Sequence, residues 1–164
     1  MKVVSNSSPL VNLSRVAQLD LLQQLYGKVL IPEAVYHEVV VQGRGMPGAS
    51  AVAGAEWIVV RAVKDLYRSR ILSYDLDPGE AECIALAIEE EADVLLMDER
   101  IGREKARHLG LQCVGILGLL IEAKQRGLIC LVHPILENLR DMAGFRVHKQ
   151  LYSTVLRMAG EDGQ

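Results

Sequence analysis

The feature that most limits the fold of this chain is an alternation of short apolar runs with longer segments of helical period. Strands are predicted over residues 2–5, 28–31, 57–60, 93–97 and 112–114. Helices are predicted over residues 8–25, 32–40, 78–91 and 100–109, with a short helix between loop 42–48 and strand 57–60 and further helices beginning at 116, 132 and 147. Strands that are joined by crossover helices pair in parallel. The sequence therefore predicts an α/β fold with three layers, α/β/α, and a central, mostly parallel sheet.

Composition and charge narrow the kind of protein further. The chain has 164 residues, of which 50% are hydrophobic, and this predicts a single domain over residues 1–164 whose C-terminal helices pack on the same core. Its net charge is −3, so contact with nucleic acid would require a local basic patch or a metal ion. The most apolar stretch, 114–132, contains three charged residues, which argues against a membrane span. With no signal-peptide pattern at the N-terminus, a cytoplasmic location is expected.

Polar residues at the predicted strand ends mark the place to search for a site. In parallel α/β sheets, ligands bind beyond the carboxyl ends of the strands. Asn6 ends the first strand and Asp98 follows strand 93–97. Glu80, in the first turn of the helix that precedes that strand, is brought to the same edge, whereas this logic places Glu38 less securely. Oxygen ligands of this kind suit Mg²⁺ or Mn²⁺.

Each of these residues also has a purely structural explanation. Glu80 fits a capping box with Asp77, in which Pro78 takes the first helical position. Asp98 fits the cap of helix 100–109, and Asn6 fits a turn into the first helix. Glu38 fits an exposed helix charge. The case for a site therefore rests on the joint placement of the four residues.

Several ordered motifs resemble those of PIN-domain proteins. They are VSNSSPL at 4–10, IPEAVYHE at 31–38, GEAECIALA at 79–87 and LLMDER at 95–100, followed by GILGLL at 115–120, GLI at 127–129 and GFR at 144–146. The sequence most resembles a bacterial and archaeal PIN-like subfamily of unassigned function, related to the VapC-type toxins of toxin–antitoxin systems. The resemblance covers nearly the whole chain.

This resemblance implies a metal-dependent ribonuclease that uses three or four acidic residues. Carried over by position, these acids fall on Asn6, Glu38, Glu80 and Asp98, with Glu82 and Glu99 as neighbours that an alignment slip would exchange for them. The small hydroxyl that follows the first acid would be Ser7 or Ser8. The resemblance further implies Mg²⁺ or Mn²⁺, single-stranded or structured RNA, a homodimer, and a small antitoxin protein that blocks the groove of a toxin-like component.

The sequence departs from the family pattern at Asn6. An asparagine carbonyl can bind Mg²⁺, but it lacks the charge of an aspartate and attracts a hard cation less strongly. We therefore expect weaker metal binding than the Asn6→Asp variant would show. A catalytically weakened PIN-like module that binds RNA or a partner protein is the first alternative function.

Two further patterns bear on ligand binding. Arg100, Arg103 and Arg107 fall on one face of the predicted helix 100–109, where they would contact backbone phosphates or form a solvated face paired with Glu99 and Glu104. Residues 43–48 match the dinucleotide fingerprint GxGxxG, and a nucleotide-binding α/β domain is the second alternative function. That loop follows a predicted helix, whereas the fingerprint requires a strand before it.

Overall fold

The computed structural model describes residues 1–162 and has a five-stranded parallel sheet at its centre. The strands are β1 (Val3–Ser5), β2 (Val29–Pro32), β3 (Ile58–Arg61), β4 (Val94–Leu96) and β5 (Cys113–Val114). Their order across the sheet is β3-β2-β1-β4-β5, and every neighbouring pair is parallel. The central register aligns Val4 with Leu30 on one side and with Leu95 on the other. The predicted α/β class with a parallel sheet is therefore confirmed.

Helices cover the sheet between and after the strands. They are α1 (Ser7–Arg15), α2 (Asp20–Tyr26), α3 (Glu33–Tyr36), α4 (Ala49–Ala53), α5 (Leu66–Leu72), α6 (Pro78–Glu89), α7 (Arg100–His108), α8 (Ile116–Gln125), α9 (His133–Ala143) and α10 (Lys149–Met158). Helix α3 continues directly as a π-helix over His37–Gln42. Within residues 1–162, no helix combines the length and apolarity that crossing a membrane requires.

The observed elements differ from the predicted ones in three places. The helix predicted over 8–25 is two helices, because Ala17 takes a positive φ of 56° and α1 ends before it. The N-cap of α1 is Asn6, so the helix begins at Ser7, one residue before the predicted start. Helix α5 is absent from the prediction because its seven residues show too little periodicity; Asp65 caps it by accepting a hydrogen bond from Arg68 N.

Helix α6 places its N-terminus at the carboxyl edge of the sheet. Its apolar side chains, among them Ile84 and Leu86, are fully buried, and the helix packs against β1, β2 and β4. The first turn of α6 is fixed by the predicted capping box: Asp77 Oδ1 accepts from Glu80 N at 2.8 Å, and Glu80 Oε2 accepts from Asp77 N at 3.1 Å. As a result, this turn lies beside the carboxyl end of β1.

Near the C-terminus, a buried carboxylate ties three helices together. Glu161 follows α10, is only 1% exposed, and forms an ion pair with Lys124 of α8 at 2.9 Å. The same carboxylate accepts hydrogen bonds from the backbone N–H groups of Val132 and His133 at the start of α9. It therefore satisfies helix N-terminal donors that would otherwise be buried without partners.

Candidate active site

Asn6 lies at the point where the sheet passes into the first helix. Its backbone N–H donates to Leu96 O at 2.9 Å, which extends the pairing of β1 with β4 by one residue. The residue is 5% exposed. Among the described residues, its side-chain amide has one hydrogen-bonding contact, a long one of 3.9 Å between the Cys83 thiol and Asn6 Oδ1. Asn6 is thus a buried polar side chain whose amide has only one weak hydrogen-bonding contact within the described residues.

Glu38 enters the same region from the π-helix. Such helices are rare and occur frequently at functional sites. The hydroxyl of Ser7 donates to Glu38 Oε2 at 2.7 Å, which fixes the direction of the carboxylate. Glu38 also lines a cleft of about 470 Å³. The cleft is formed by Ala34, His37, Glu38, Gln42, Asp77, Pro78 and Gly79.

Three oxygen atoms meet above Gly79, the second residue of α6. A Cβ atom built on Gly79 would lie 3.1 Å from Glu38 Oε2, 3.4 Å from Asp77 Oδ1 and 3.6 Å from Asn6 Oδ1. Two carboxylates and one amide carbonyl therefore approach one small space that only a glycine leaves open. This convergence joins elements that are far apart in the sequence.

Glu80 stands next to this space and is buried. The pKa of its carboxyl group is raised, first by burial and then by the negative charges of Asp77 and Glu99, while the hydrogen bond from the Asp77 backbone opposes the rise. The same electrostatic pattern surrounds Cys83: burial raises the pKa of its thiol well above the usual value, and nearby carboxylates, Asp77 first, add to the effect. Negative charge is therefore concentrated at this edge of the sheet.

Asp98 has different neighbours from the other predicted acids. Its Oδ1 accepts from Ile116 N at 2.9 Å, at the start of α8, and its Oδ2 is buried without a hydrogen-bond partner. Burial raises the pKa of its carboxyl group, while the Ile116 N–H and the charge of Arg103 oppose the rise.

Asp98 does not line the cleft, whereas the adjacent Glu99 is the residue whose negative charge helps to raise the pKa of Glu80. Glu99 also caps α7 by accepting from Gly102 N.

The predicted phosphate-contacting residues are also placed unequally. Arg100 is exposed and pairs with Glu104 at 3.6 Å, and Arg107 is exposed as well. Arg103 is half-buried and turned toward Asp98 and Gly115 rather than toward solvent. Ser7 is committed to Glu38, and Ser8 is half-buried in the first turn of α1. These positions leave Arg100 and Arg107 as the members of the predicted basic face that solvent reaches.

The residues above Gly79 suit a hard divalent cation. Within residues 1–162, no three His, Cys, Asp or Glu side chains are placed to hold a metal ion together. Mg²⁺ does not require such a set, because it is commonly bound by one or two carboxylates and keeps several waters. Glu38 and Asp77 each have a carboxylate oxygen beside this space, and Asn6 has a weakly partnered carbonyl oxygen there. The donor set therefore fits Mg²⁺ or Mn²⁺.

Asp77 is the residue of this site that the motifs do not identify. The sequence pattern marks it only as the cap of α6, and the cap is indeed present. The signal that would have found it is topological: a cap that immediately precedes the first turn containing Glu80 lies at the same sheet edge as Glu80. The glycine-rich loop 43–48, in contrast, lies between the π-helix and α4, without the preceding strand that a dinucleotide site requires.

Gly79→Ala is expected to lower the affinity for Mn²⁺ by roughly tenfold. The added methyl group would occupy the space between Glu38 and Asn6, while alanine suits a helix at least as well as glycine. Thermal unfolding without divalent cations should therefore show equal or higher stability, and isothermal titration should show the weaker binding. Gly118→Ala, in α8, is the control and should bind Mn²⁺ like the wild type. Equal affinity in Gly79→Ala would contradict the placement of the cation.

Comparison with known proteins adds a family to this geometry. A family model described as PIN domain matches residues 2–161, nearly the whole chain. A search among curated proteins gives no match.

Proposed function

This chain belongs to the PIN-domain family, and from that premise we propose that it is a metal-dependent ribonuclease whose active site is the cleft above Gly79. PIN domains have a nuclease-type fold and generally depend on divalent metals and bind RNA. The observation that carries the proposal is the approach of Glu38 Oε2 and Asn6 Oδ1 to one open space at the carboxyl edge of the sheet.

The proposed roles follow from the contacts of each residue. Glu38 and Asn6 would hold Mg²⁺ or Mn²⁺, with Glu80 beside them, and Asp98, which does not line the cleft, would be a further acid. When bound, such an ion neutralises phosphate charge and makes water a better nucleophile for phosphodiester hydrolysis. Ser7 keeps the Glu38 carboxylate directed into the cleft through its 2.7 Å hydrogen bond.

The RNA backbone would be held outside the cleft by exposed basic residues of α7. Arg100 and Arg107 are both accessible to a phosphate, whereas Arg103 would act indirectly through the effect of its charge on the Asp98 carboxyl group. Because the chain carries a net charge of −3, this local basic face and the cation would supply the attraction to RNA.

Asn6→Asp is expected to raise both Mn²⁺ affinity and RNA cleavage by roughly tenfold or more, because it adds a charge to a buried oxygen ligand. The measurement is cleavage of single-stranded and hairpin RNA by wild type and variant, with Mn²⁺, with Mg²⁺ and with a chelator. Cleavage that depends on the cation supports the proposal. Unchanged cation affinity and cleavage in Asn6→Asp would contradict the placement of Asn6 at the site.

The substitution at position 6 favours a second candidate function. A PIN-like module that binds RNA or a protein without cutting would retain the cleft and the basic face but lack the charge of an aspartate. The same assay separates the two: RNA that shifts in a gel yet stays intact with Mn²⁺ would favour the binding module. Recovery of cleavage in Asn6→Asp would then attribute the loss to this one side chain.

We extend the proposal to a biological setting on family membership alone. The chain would be the toxin-like component of a toxin–antitoxin pair, acting in the cytoplasm as a homodimer, and a small antitoxin protein would inhibit it by covering the cleft. Growth arrest on expression, relieved by the product of an adjacent short reading frame, is the expected result. Normal growth with a demonstrably active nuclease would remove the toxin role and leave the ribonuclease proposal intact.

A further inference from the structure

Asp77 provides a negative charge close to Asn6, the position at which this chain has an asparagine and the family pattern has an acidic residue. We propose that Asp77, in addition to capping α6, is a ligand of the divalent cation and replaces the charge that Asn6 does not carry. This inference rests on the proposed function, since it concerns the same cation. It assigns a binding role to a residue outside the four positions carried over from the family motifs.

The geometry of Gly79 is the first support. Asp77 Oδ1 and Glu38 Oε2 lie 3.4 and 3.1 Å from the position of a Cβ atom on Gly79, and both residues line the same cleft. Asp77 is therefore part of the acidic cluster in space, although a local motif explains its presence in the sequence.

The side chain of Asn6 is the second, independent support. It is 5% exposed, its Oδ1 lies 3.6 Å from the same Cβ position, and the Cys83 thiol at 3.9 Å is its one hydrogen-bonding contact within the described part of the chain. A buried amide of this kind is costly unless something binds to it. A cation between Asn6 and the two carboxylates would satisfy the amide oxygen and offset the repulsion between the carboxylates.

Capping leaves Asp77 free to bind a cation. A carboxylate has two oxygens and about four acceptor sites. Asp77 Oδ1, the oxygen that approaches the space above Gly79, accepts one bond, from Glu80 N at 2.8 Å, which leaves its other lone pair free; Oδ2 accepts none from residues 1–162. The cap and the cation therefore need not compete for the same lone pair.

The other aspartate cap shows what a purely structural role looks like. Asp65 caps α5 through a 2.9 Å bond from Arg68 N, and the Arg68 guanidinium also lies 3.6 Å from its second oxygen. Asp77 has no such ion pair among the residues that the structure describes and faces Glu38 instead. The two caps are alike in their hydrogen bonding and differ in what neutralises the charge.

This difference gives a test with a matched control. Asp77→Asn and Asp65→Asn both retain a good N-cap, because asparagine caps helices about as well as aspartate. Mn²⁺ affinity is measured by titration calorimetry and by the loss of the free-ion electron paramagnetic resonance signal, and folding by thermal unfolding in a chelator. We expect Asp77→Asn to bind Mn²⁺ at least about tenfold more weakly than the wild type. Asp65→Asn should bind it as the wild type does.

A double variant that moves the negative charge from residue 77 to residue 6 gives the decisive test. In the double variant Asn6→Asp with Asp77→Asn, the carboxylate is moved from residue 77 to residue 6, both of which approach the space above Gly79, and Mn²⁺ affinity should recover to at least the wild-type value. Affinity in Asp77→Asn equal to that of the wild type, or no recovery in the double variant, would overturn the role of Asp77. If Glu38→Gln loses Mn²⁺ while Asp77→Asn keeps it, only this inference fails. If the wild type binds no Mn²⁺, the proposed function fails with it.

Discussion

Glu38→Gln is expected to reduce cation-dependent RNA cleavage by more than about 100-fold, since even residues that only support a metal ligand cost roughly 10–100-fold when changed. Glutamine keeps the length of the side chain and an oxygen that can accept from Ser7, so the cleft should keep its shape. What it removes is the charge of the one predicted acid that both lines the cleft and approaches the space above Gly79. Initial rates at saturating Mn²⁺ on a labelled single-stranded RNA measure the effect.

The matched control for Glu38 lies on the same helical segment. Glu33→Gln removes an exposed charge from the first turn of α3, outside the cleft. Its cleavage rate should stay within about twofold of the wild type. Similar losses in both variants would indicate a general electrostatic effect on RNA binding, and no loss in Glu38→Gln would exclude Glu38 from the chemistry.

Glu161→Ala is expected to lower the free energy of unfolding by about 3 kcal/mol, the scale for removing one partner of a buried, hydrogen-bonded ion pair. The variant leaves the backbone N–H groups of Val132 and His133 without an acceptor and removes the partner of Lys124. Thermal unfolding should show a fall in Tm of roughly 6–12 °C. Glu56→Ala, an exposed position, should change stability by less than about 0.5 kcal/mol.

The contribution of Glu161 should depend on pH in a definite direction. Burial alone would raise the pKa of its carboxyl group, but the hydrogen bonds from Lys124, Val132 and His133 outweigh burial and lower it from the ordinary value of 4.5. A lowered folded-state pKa gives stability that is present above the unfolded-state pKa and is lost as the pH falls through the folded-state value. The difference between wild type and Glu161→Gln should be full at pH 7 and shrink below about pH 4.5. A difference that grows on acidification would contradict this role.

The features that could be predicted from the sequence are those set by local rules. Alternating apolar and helical segments predict the parallel sheet because crossover connections leave few other arrangements. The capping box at Asp77 and Glu80 was predictable because its two hydrogen bonds join residues only three apart. The position of Glu80 at the carboxyl edge of the sheet was predictable because it lies in the first turn of the helix that precedes a parallel strand.

The features that could not be predicted depend on tertiary contacts. The break between α1 and α2 occurs at Ala17, and no glycine or proline near it in the sequence indicates the break. The orientation of Asp98 toward α8 depends on a hydrogen bond from the N–H of Ile116, which is 18 residues away. The approach of Asp77 to Glu38 likewise depends on packing between segments that are distant in the sequence. The roles predicted for Asn6, Glu38, Glu80 and Asp98 stay predictions until cation binding is measured.

A crystal structure of the wild-type protein grown or soaked with Mn²⁺, with anomalous diffraction recorded, tests the central claim most directly. We predict an anomalous peak in the cleft above Gly79, bonded to a carboxylate oxygen of Glu38 and close to Asn6 Oδ1. A peak located elsewhere on the protein, or an empty cleft at a Mn²⁺ concentration that supports RNA cleavage, would contradict it.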